Sequence, residues 1–188
     1  MLIFEFNGKN NGSYIDSVSG NVGTPSGGGE FVRSEKGVAW RGNGVDSGLI
    51  YTKTISNNSY DIEMWIKYND LSSGNYLLDF RDGSGDGQGY SYYLSGEIVI
   101  SSGSAYTNGE EDSAPIVPNA YEWIHFIFTG VTIDSTTINI GKRYSATDWR
   151  VNGDIGRIQI FDHVLTEQER SQLYQEFLRA TPTNKIIR

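Results

Sequence analysis

The chain has 188 residues, 37% hydrophobic and 13% aromatic, which is enough for one real core and too much for disorder at a net charge of −8. With no cysteine, disulfides and thiolate chemistry are excluded, and the 15 Lys and Arg are scattered along an acidic chain, which argues against nucleic acid as a partner. No run approaches the ~20 apolar residues that cross a bilayer, and MLIFEFNGKNNG lacks the basic and apolar regions of a signal peptide.

Residues 2–6 alternate, with Leu2, Phe4 and Phe6 on one face, as in a half-buried strand. The polar stretch through SGNVG and PSGGG is too rich in turn formers to be the interior of an element. Short strands are predicted at 38–40 and 49–52, and a stronger one at 60–68, where Ile62, Met64 and Ile66 share a face. Further strands are predicted at 76–80, at YSYYL (90–94) and at 97–101. SGSAYTNGEEDSAP reads as a long polar loop. EWIHFIFT (122–129) is apolar enough to be buried on both faces, and 137–140 and 155–161 complete the set.

Ten to twelve short strands at this spacing predict an all-β fold: a two-sheet antiparallel jelly-roll sandwich with one C-terminal α-helix, over about 166–180. Thr166 is placed to cap the helix, and Glu169 completes a capping box. Leu173, Tyr174, Phe177 and Leu178 form one apolar stripe, expected to cover an apolar patch or a sheet edge. Pro182 prevents renewal of the helix. The domain is therefore expected to span 1–180, with a tail at 181–188.

Gly153, Ile155, Ile158, Ile160 and Phe161, followed by Leu165, Thr166, Glu169, Leu173 and Tyr174, carry a resemblance. They resemble the end of laminin-G-like domains of the concanavalin A-like lectin/glucanase superfamily, where G-x-I-x-x-V-R-I-Y precedes N-R-x-L-S-x-x-E-I-x-x-L-Y. IDSVSGNVGT (15–24), DIEMWIKY (61–68) and EWIHFIF (122–128) resemble three further segments of that family in the same order. The likeness spans most of residues 1–178 and implies fold more than function, because the superfamily holds lectins, glycosidases, lyases and scaffolds.

The resemblance implies a structural Ca2+ at Asp16, Ser17 and Asn21, whose oxygens are hard ligands, although Gly156 stands where the family usually carries an acid. A second calcium candidate, DGSGDG, places Asp82, Ser84 and Asp86 at alternate positions as in an EF-hand loop, but lacks the closing Glu and the flanking helices. For sugar, whose C–H faces stack on aromatic planes, the candidates are Tyr90, Tyr92, Tyr93, Tyr106, Tyr144 and Trp149, with Asn108, Asp148 and Asn152 as hydrogen-bonding neighbours. Trp40, Trp65 and Trp123 lie in apolar strands and are expected to be core, and His125, inside EWIHFIF, is expected to be a structural histidine in a buried strand.

Catalysis has little support. A glycosidase needs two suitably spaced carboxylates. Glu110, Glu111 and Asp112 read as a loop cluster, and Asp61 and Glu63 share a strand face without a third acid. The sequence therefore points to a non-enzymatic recognition module for a glycan or surface polysaccharide. The rival is a structural protein of a virion or cell surface, such as a phage head fibre or decoration protein, forming contacts with other surface proteins or a homo-oligomer. Both readings place the chain outside the cell or on a virion surface, without a membrane span.

Overall fold

Tyr60 to Tyr68 alternates as predicted, but the strand it belongs to runs back without a break to Gly48. The computed structural model describes residues 1–7, 14–71, 74–81, 89–94, 97–112, 115, 117, 119–145 and 150–180, apart from the side chains of Asn57, Tyr90, Tyr92 and Tyr93. Twelve strands precede the single helix α1, Glu167–Arg179. They are β1 Leu2–Asn7, β2 Thr24–Ser26, β3 Glu30–Ser34, β4 Gly37–Asn43, β5 Gly48–Tyr68, β6 Asn75–Asp79, β7 Tyr90–Leu94, β8 Glu97–Ile100, β9 Ser104–Thr107, β10 Glu110–Asp112, β11 Trp123–Ile140 and β12 Asn152–Phe161. The expected tail at 181–188 lies outside the described residues.

The long antiparallel pair β5·β11 organises the rest. Lys67 opposes Trp123 at one end and Leu49 opposes Ile140 at the other, with register shifts near Phe128/Val131 and on both sides of Ser135. Shifts of this kind bend a ribbon and raise its twist. Gly130 sits at one of them with φ +71, a backbone conformation that a side chain would strain. Each edge of the bent ribbon takes different partners along its length. β5 pairs with β2 at 48–50 and with β12 at 61–68, while β11 pairs with β9 at 126–129 and with β6 at 139–140.

All twelve strands belong to one hydrogen-bonded antiparallel sheet that curls on itself, consistent with the expected all-β sandwich. The polar run Lys53–Ser59 reads as a break in sequence, yet backbone pairing carries the strand through it, with Ile55 buried at the bend. The predicted pairs 49–52/60–68 and 122–129/137–140 are thus two strands and not four.

The curl closes on one core. Phe4, Phe6, Trp40, Met64, Ile66, Phe126, Phe128, Ile158 and Ile160 pack with Leu49, Tyr51, Ile138 and Ile140 from the other half of the ribbon and with Leu78 of β6. Phe4 meets Tyr51 edge to face at 5.1 Å between ring centroids, a favourable geometry for their quadrupoles.

The opposite face of β5 is charged and also buried. Asp61, Glu63 and His125 are fully enclosed, and Trp65 is almost so. Helix α1 covers this face. Its capping box forms as predicted, but its apolar stripe is only partly used: Phe177 is buried, whereas Leu178 is 45% exposed. Phe177 packs edge-on against Trp65, and both Phe177 and Tyr174 lie against the His125 ring. The helix was expected to cover an apolar patch or a sheet edge; it covers instead a mixed face of Trp65 and charged groups, and ionic contacts do much of the fastening. The Asp61 carboxylate accepts from Gly130 N–H at 2.9 Å and from Leu165 N–H at 2.8 Å, just ahead of the helix. Arg157 donates to Glu63 at 3.0 and 2.9 Å and to Glu176 on the helix at 2.9 Å. Trp65 Nε1 also donates to Glu63, His125 Nε2 stands 3.2 Å from it, and Lys36 donates to the Phe177 carbonyl at 2.6 Å.

Taking a carboxylate out of water costs several kcal/mol, and this cost is offset only when its oxygens keep good partners. Burial pushes the Glu63 pKa up, but His125 and the Arg157 guanidinium hold it below the ordinary value. Arg157→Met should therefore destabilise the protein by about 3–5 kcal/mol in equilibrium urea denaturation. Adding Glu63→Gln to that variant should restore part of the loss, whereas a strictly additive pair of losses would contradict coupling. Thr166→Ala should cost about 1 kcal/mol, and Thr166→Ser much less.

Candidate functional site

Asp16 sits in the turn between β1 and β2 with no exposed surface. One carboxylate oxygen accepts from Glu5 N–H at 2.9 Å and from Val18 N–H at 3.0 Å. The other accepts the Ser19 hydroxyl and lies 3.3 Å from the Lys53 ammonium. Ser17 Oγ donates to Glu5, and the Asn21 side-chain amide donates to the Thr52 carbonyl at 3.3 Å. Both Asp16 oxygens thus face donors, one of them a cation, which is the wrong environment for a hard metal ion. The expected set Asp16, Ser17 and Asn21 does not fit calcium and acts as a staple between β1 and β5. Asp82, Ser84 and Asp86 lie outside the described residues.

The sugar candidates divide between two places. SGSAYTNGEEDSAP, read as a loop, contains the hairpin β9–β10, in which Thr107 opposes Glu110 and Tyr106 opposes Glu111. Asn108 and Gly109 form its two-residue turn with φ +52 and +90, which Asn-Gly adopts readily. Asn108 is therefore a structural pivot: its N–H donates to the His125 carbonyl at 2.9 Å, and its side-chain oxygen accepts the His125 N–H at 3.1 Å. Gly109 is required beside it, since a Cβ there would come within 2.6 Å of the Tyr174 ring.

This hairpin and α1 enclose a groove of about 520 Å³ lined by Tyr106, Glu110, Glu111, Glu167, Arg170 and Tyr174. The Arg170 guanidinium lies 4.5 Å from the Tyr106 ring centre, and Arg170 also donates to the Leu165 carbonyl ahead of the helix. On the other side of β10 a second groove, about 740 Å³, runs along β8 past Ile98, Ile100, Ser104, Glu111 and Asp112. The acidic triplet Glu110–Asp112 is therefore a strand forming the ridge between two grooves, not a loop cluster. Two tyrosine rings, exposed carboxylates, a guanidinium and Ser171 supply what an oligosaccharide needs: apolar ring faces and convergent hydrogen-bonding groups.

Tyr144 lies elsewhere, in the connection from β11 to β12. Its N–H donates to Asp79 at 3.1 Å, and its ring stands 5.3 Å from the Arg81 guanidinium. Asp79 also accepts Arg81 Nε at 2.8 Å and Nη2 at 2.7 Å. β7 runs antiparallel beside β6, with Tyr90 opposite Asp79 and Tyr92 opposite Tyr76. The side chains of Tyr90, Tyr92 and Tyr93, and all of Asp148 and Trp149, lie outside the described residues. Asn152 opens β12 opposite Asn43, half-buried, with its Cβ 2.9 Å from where a Cβ of Gly44 would stand.

Trp40 is core, as expected, whereas Trp65 belongs to the charged layer beneath the helix and Trp123 is half-buried there, 5.3 Å from the Lys67 ammonium. Arg170 and Tyr174 were not among the sugar candidates. Their helical positions gave no sign of a groove, because only docking of α1 beside β9–β10 creates one.

The chain shares its fold with carbohydrate-binding and receptor-binding β-sandwich domains. Domain 4 of AbnA, a GH43 extracellular arabinanase from Geobacillus stearothermophilus solved with arabinotriose, is 17% identical and superposes with a TM-score of 0.63 over 93% of this chain and 98% of that one. The binding domain of botulinum neurotoxin serotype D gives 0.63 at 11% identity, over 93% of this chain and 51% of that chain. Botulinum neurotoxin type C, described as dependent on interaction with two ganglioside molecules to enter cells, gives 0.58 at 13% identity, over 94% and 51%. These identities show the fold alone. The chain matches no protein-family model and no curated protein sequence.

Two outcomes follow for the Asp16 corner. Millimolar calcium should leave the melting temperature unchanged, and a rise of several degrees would restore the metal site. Burial pushes the Asp16 pKa up, but the Glu5 N–H, Ser19, the Val18 N–H and Lys53 together hold it below the ordinary value. A depressed native pKa contributes stability above it that is lost as pH falls through it. Asp16→Asn should therefore flatten the acid limb of stability against pH below about 4, and an unchanged limb would contradict the staple.

Proposed function

We propose that the protein is a non-catalytic carbohydrate-recognition module of the laminin-G-like kind, which holds an oligosaccharide in the groove between the β9–β10 hairpin and α1. The observation that carries this reading is the groove's chemistry: Tyr106 and Tyr174 beside Glu110, Glu111, Glu167, Arg170 and Ser171 on rigid elements. Carboxylates take pairs of sugar hydroxyls, and the tyrosines supply apolar surface. The fold likeness to an arabinanase domain solved with arabinotriose supports a saccharide as the ligand class.

The buried acids support binding over turnover. Asp61 and Glu63 are closed off from solvent and engaged by Gly130, Leu165, Trp65 and Arg157. Neither has room for an attacking water or a leaving group, which carboxylate-based glycoside hydrolysis requires.

The test is isothermal titration against arabino-oligosaccharides and a wider neutral glycan panel. A ligand should be found that binds about tenfold more weakly, ~1.4 kcal/mol, to Tyr106→Ala. The exposed change Glu111→Gln should weaken it without altering the melting temperature. No binding across the panel, or binding indifferent to both changes, would overturn the reading.

A further inference from the structure

The groove between the β9–β10 hairpin and α1 carries an unbalanced charge. Three exposed carboxylates line it, those of Glu110, Glu111 and Glu167, against one guanidinium, that of Arg170. Arg170 is already engaged, since it donates to the Leu165 carbonyl and stands over the Tyr106 ring, 4.5 Å from its centre. Among the described residues, no Lys, Arg or His forms an ion pair with any of the three glutamates. Glu111 also lines the groove on the other side of β10, where Glu97 and Asp112 join it and none of the described lining residues is a cation.

A cleft walled by one sign of charge focuses the field along it and gathers ligands of the opposite sign. These carboxylates come from two walls, β10 and the first turn of α1. Among the described residues, no three acids converge as the ligands of a metal ion do. The arrangement therefore suits several separate cations carried along one molecule better than a single small ion.

The rings set a second condition. Tyr106 already takes a guanidinium on its face, the attraction expected between a cation and a ring quadrupole. Tyr174 adds a half-buried ring to the same groove. Such rings favour both ammonium groups and the apolar faces of sugars. We propose that the ligand of this groove is an oligosaccharide of amino sugars, whose protonated amines pair with Glu110, Glu111 and Glu167 while its rings meet Tyr106 and Tyr174. This rests on the reading of the groove as a saccharide site and names the class of saccharide.

The test titrates the whole chain at low salt in mildly acidic buffer, where the sugar's amines are protonated. The probes are triglucosamine, its fully N-acetylated form, which is neutral and of the same length, and spermidine, which carries amines without a ring. Triglucosamine should bind at least tenfold more tightly than the acetylated form, and its affinity should fall as salt rises. Glu110→Gln with Glu167→Gln should lower that ratio at least threefold, and Tyr106→Ala should weaken both sugars. Glu30→Gln, which removes an exposed carboxylate on β3, should leave the ratio unchanged.

Equal affinity for the two sugars, a preference that survives the double change, or spermidine binding as tightly as triglucosamine would overturn the proposal. So would triglucosamine binding that is indifferent to Tyr106→Ala. If the double variant does not fold, Glu111→Gln serves in its place and should lower the ratio at least twofold; an unchanged ratio would count equally against the amine contacts. Acetylated sugar binding that is lost in Tyr106→Ala, without any amine preference, would sink the amino-sugar ligand and leave the groove standing as a saccharide site. An amine preference that needs Tyr106 and the glutamates, with no neutral sugar bound, would uphold the amino-sugar ligand while failing the neutral panel. No binding of either sugar would overturn both.

Discussion

Two carboxylates on the outer face of β5 fix where the C-terminal segment lies. Asp61 holds the chain just ahead of the helix through Leu165 N–H, and Glu63 holds the helix body through Arg157 and Glu176. An apolar stripe alone would let a short amphipathic helix slide or rotate over a greasy surface. Directional, charge-assisted contacts to one point on the sheet remove that freedom. The price is a buried ion cluster whose members must all be present, since each oxygen left without its partner would be enclosed and uncompensated. The Tyr106 groove depends on this arrangement, because α1 is one of its walls.

The apolar core and the buried ion cluster thus lie on opposite sides of the same strands. Inward residues of β5, β11 and β12 form the core, while their outward residues carry Glu63, His125 and Arg157. The proposed saccharide groove lies at the margin of this framework, between a hairpin and a helix edge. This follows the general division between a rigid framework and the segments that carry binding. Shared fold with an arabinanase domain and with toxin binding domains does not by itself assign a ligand, which depends on the groups that converge at a site.

Much of the framework was legible in the sequence. Period-two alternation located the strands around Leu2–Phe6, Tyr60–Tyr68 and Ile155–Phe161, and the Thr166/Glu169 box located the helix start. The joined ribbons were not legible, because Lys53–Ser59 looks like loop and only its cross-strand partners keep it extended. The β9–β10 hairpin did leave a signal, Asn108–Gly109 between short alternating runs, which the polar composition around it obscured. The contact between Glu63 and Arg157 spans 94 residues and no local pattern encodes it. Asp16 shows the opposite case: a calcium-like composition forms a hydrogen-bonded staple, with the Lys53 ammonium from a distant strand 3.3 Å from its carboxylate. Of the sugar candidates, Tyr106 reached a groove, Asn108 became a turn, and Tyr144 packs beside the Arg81–Asp79 pair.

The most direct measurement is backbone amide shift mapping of isotope-labelled protein during titration with the tightest saccharide from the binding panel. Glycan recognition at the helix–hairpin groove predicts perturbations concentrated at Tyr106–Glu111 and along Glu167–Tyr174, with the core strands unmoved. Saturating shifts confined to other faces, or a spectrum that does not change at millimolar sugar, would contradict it.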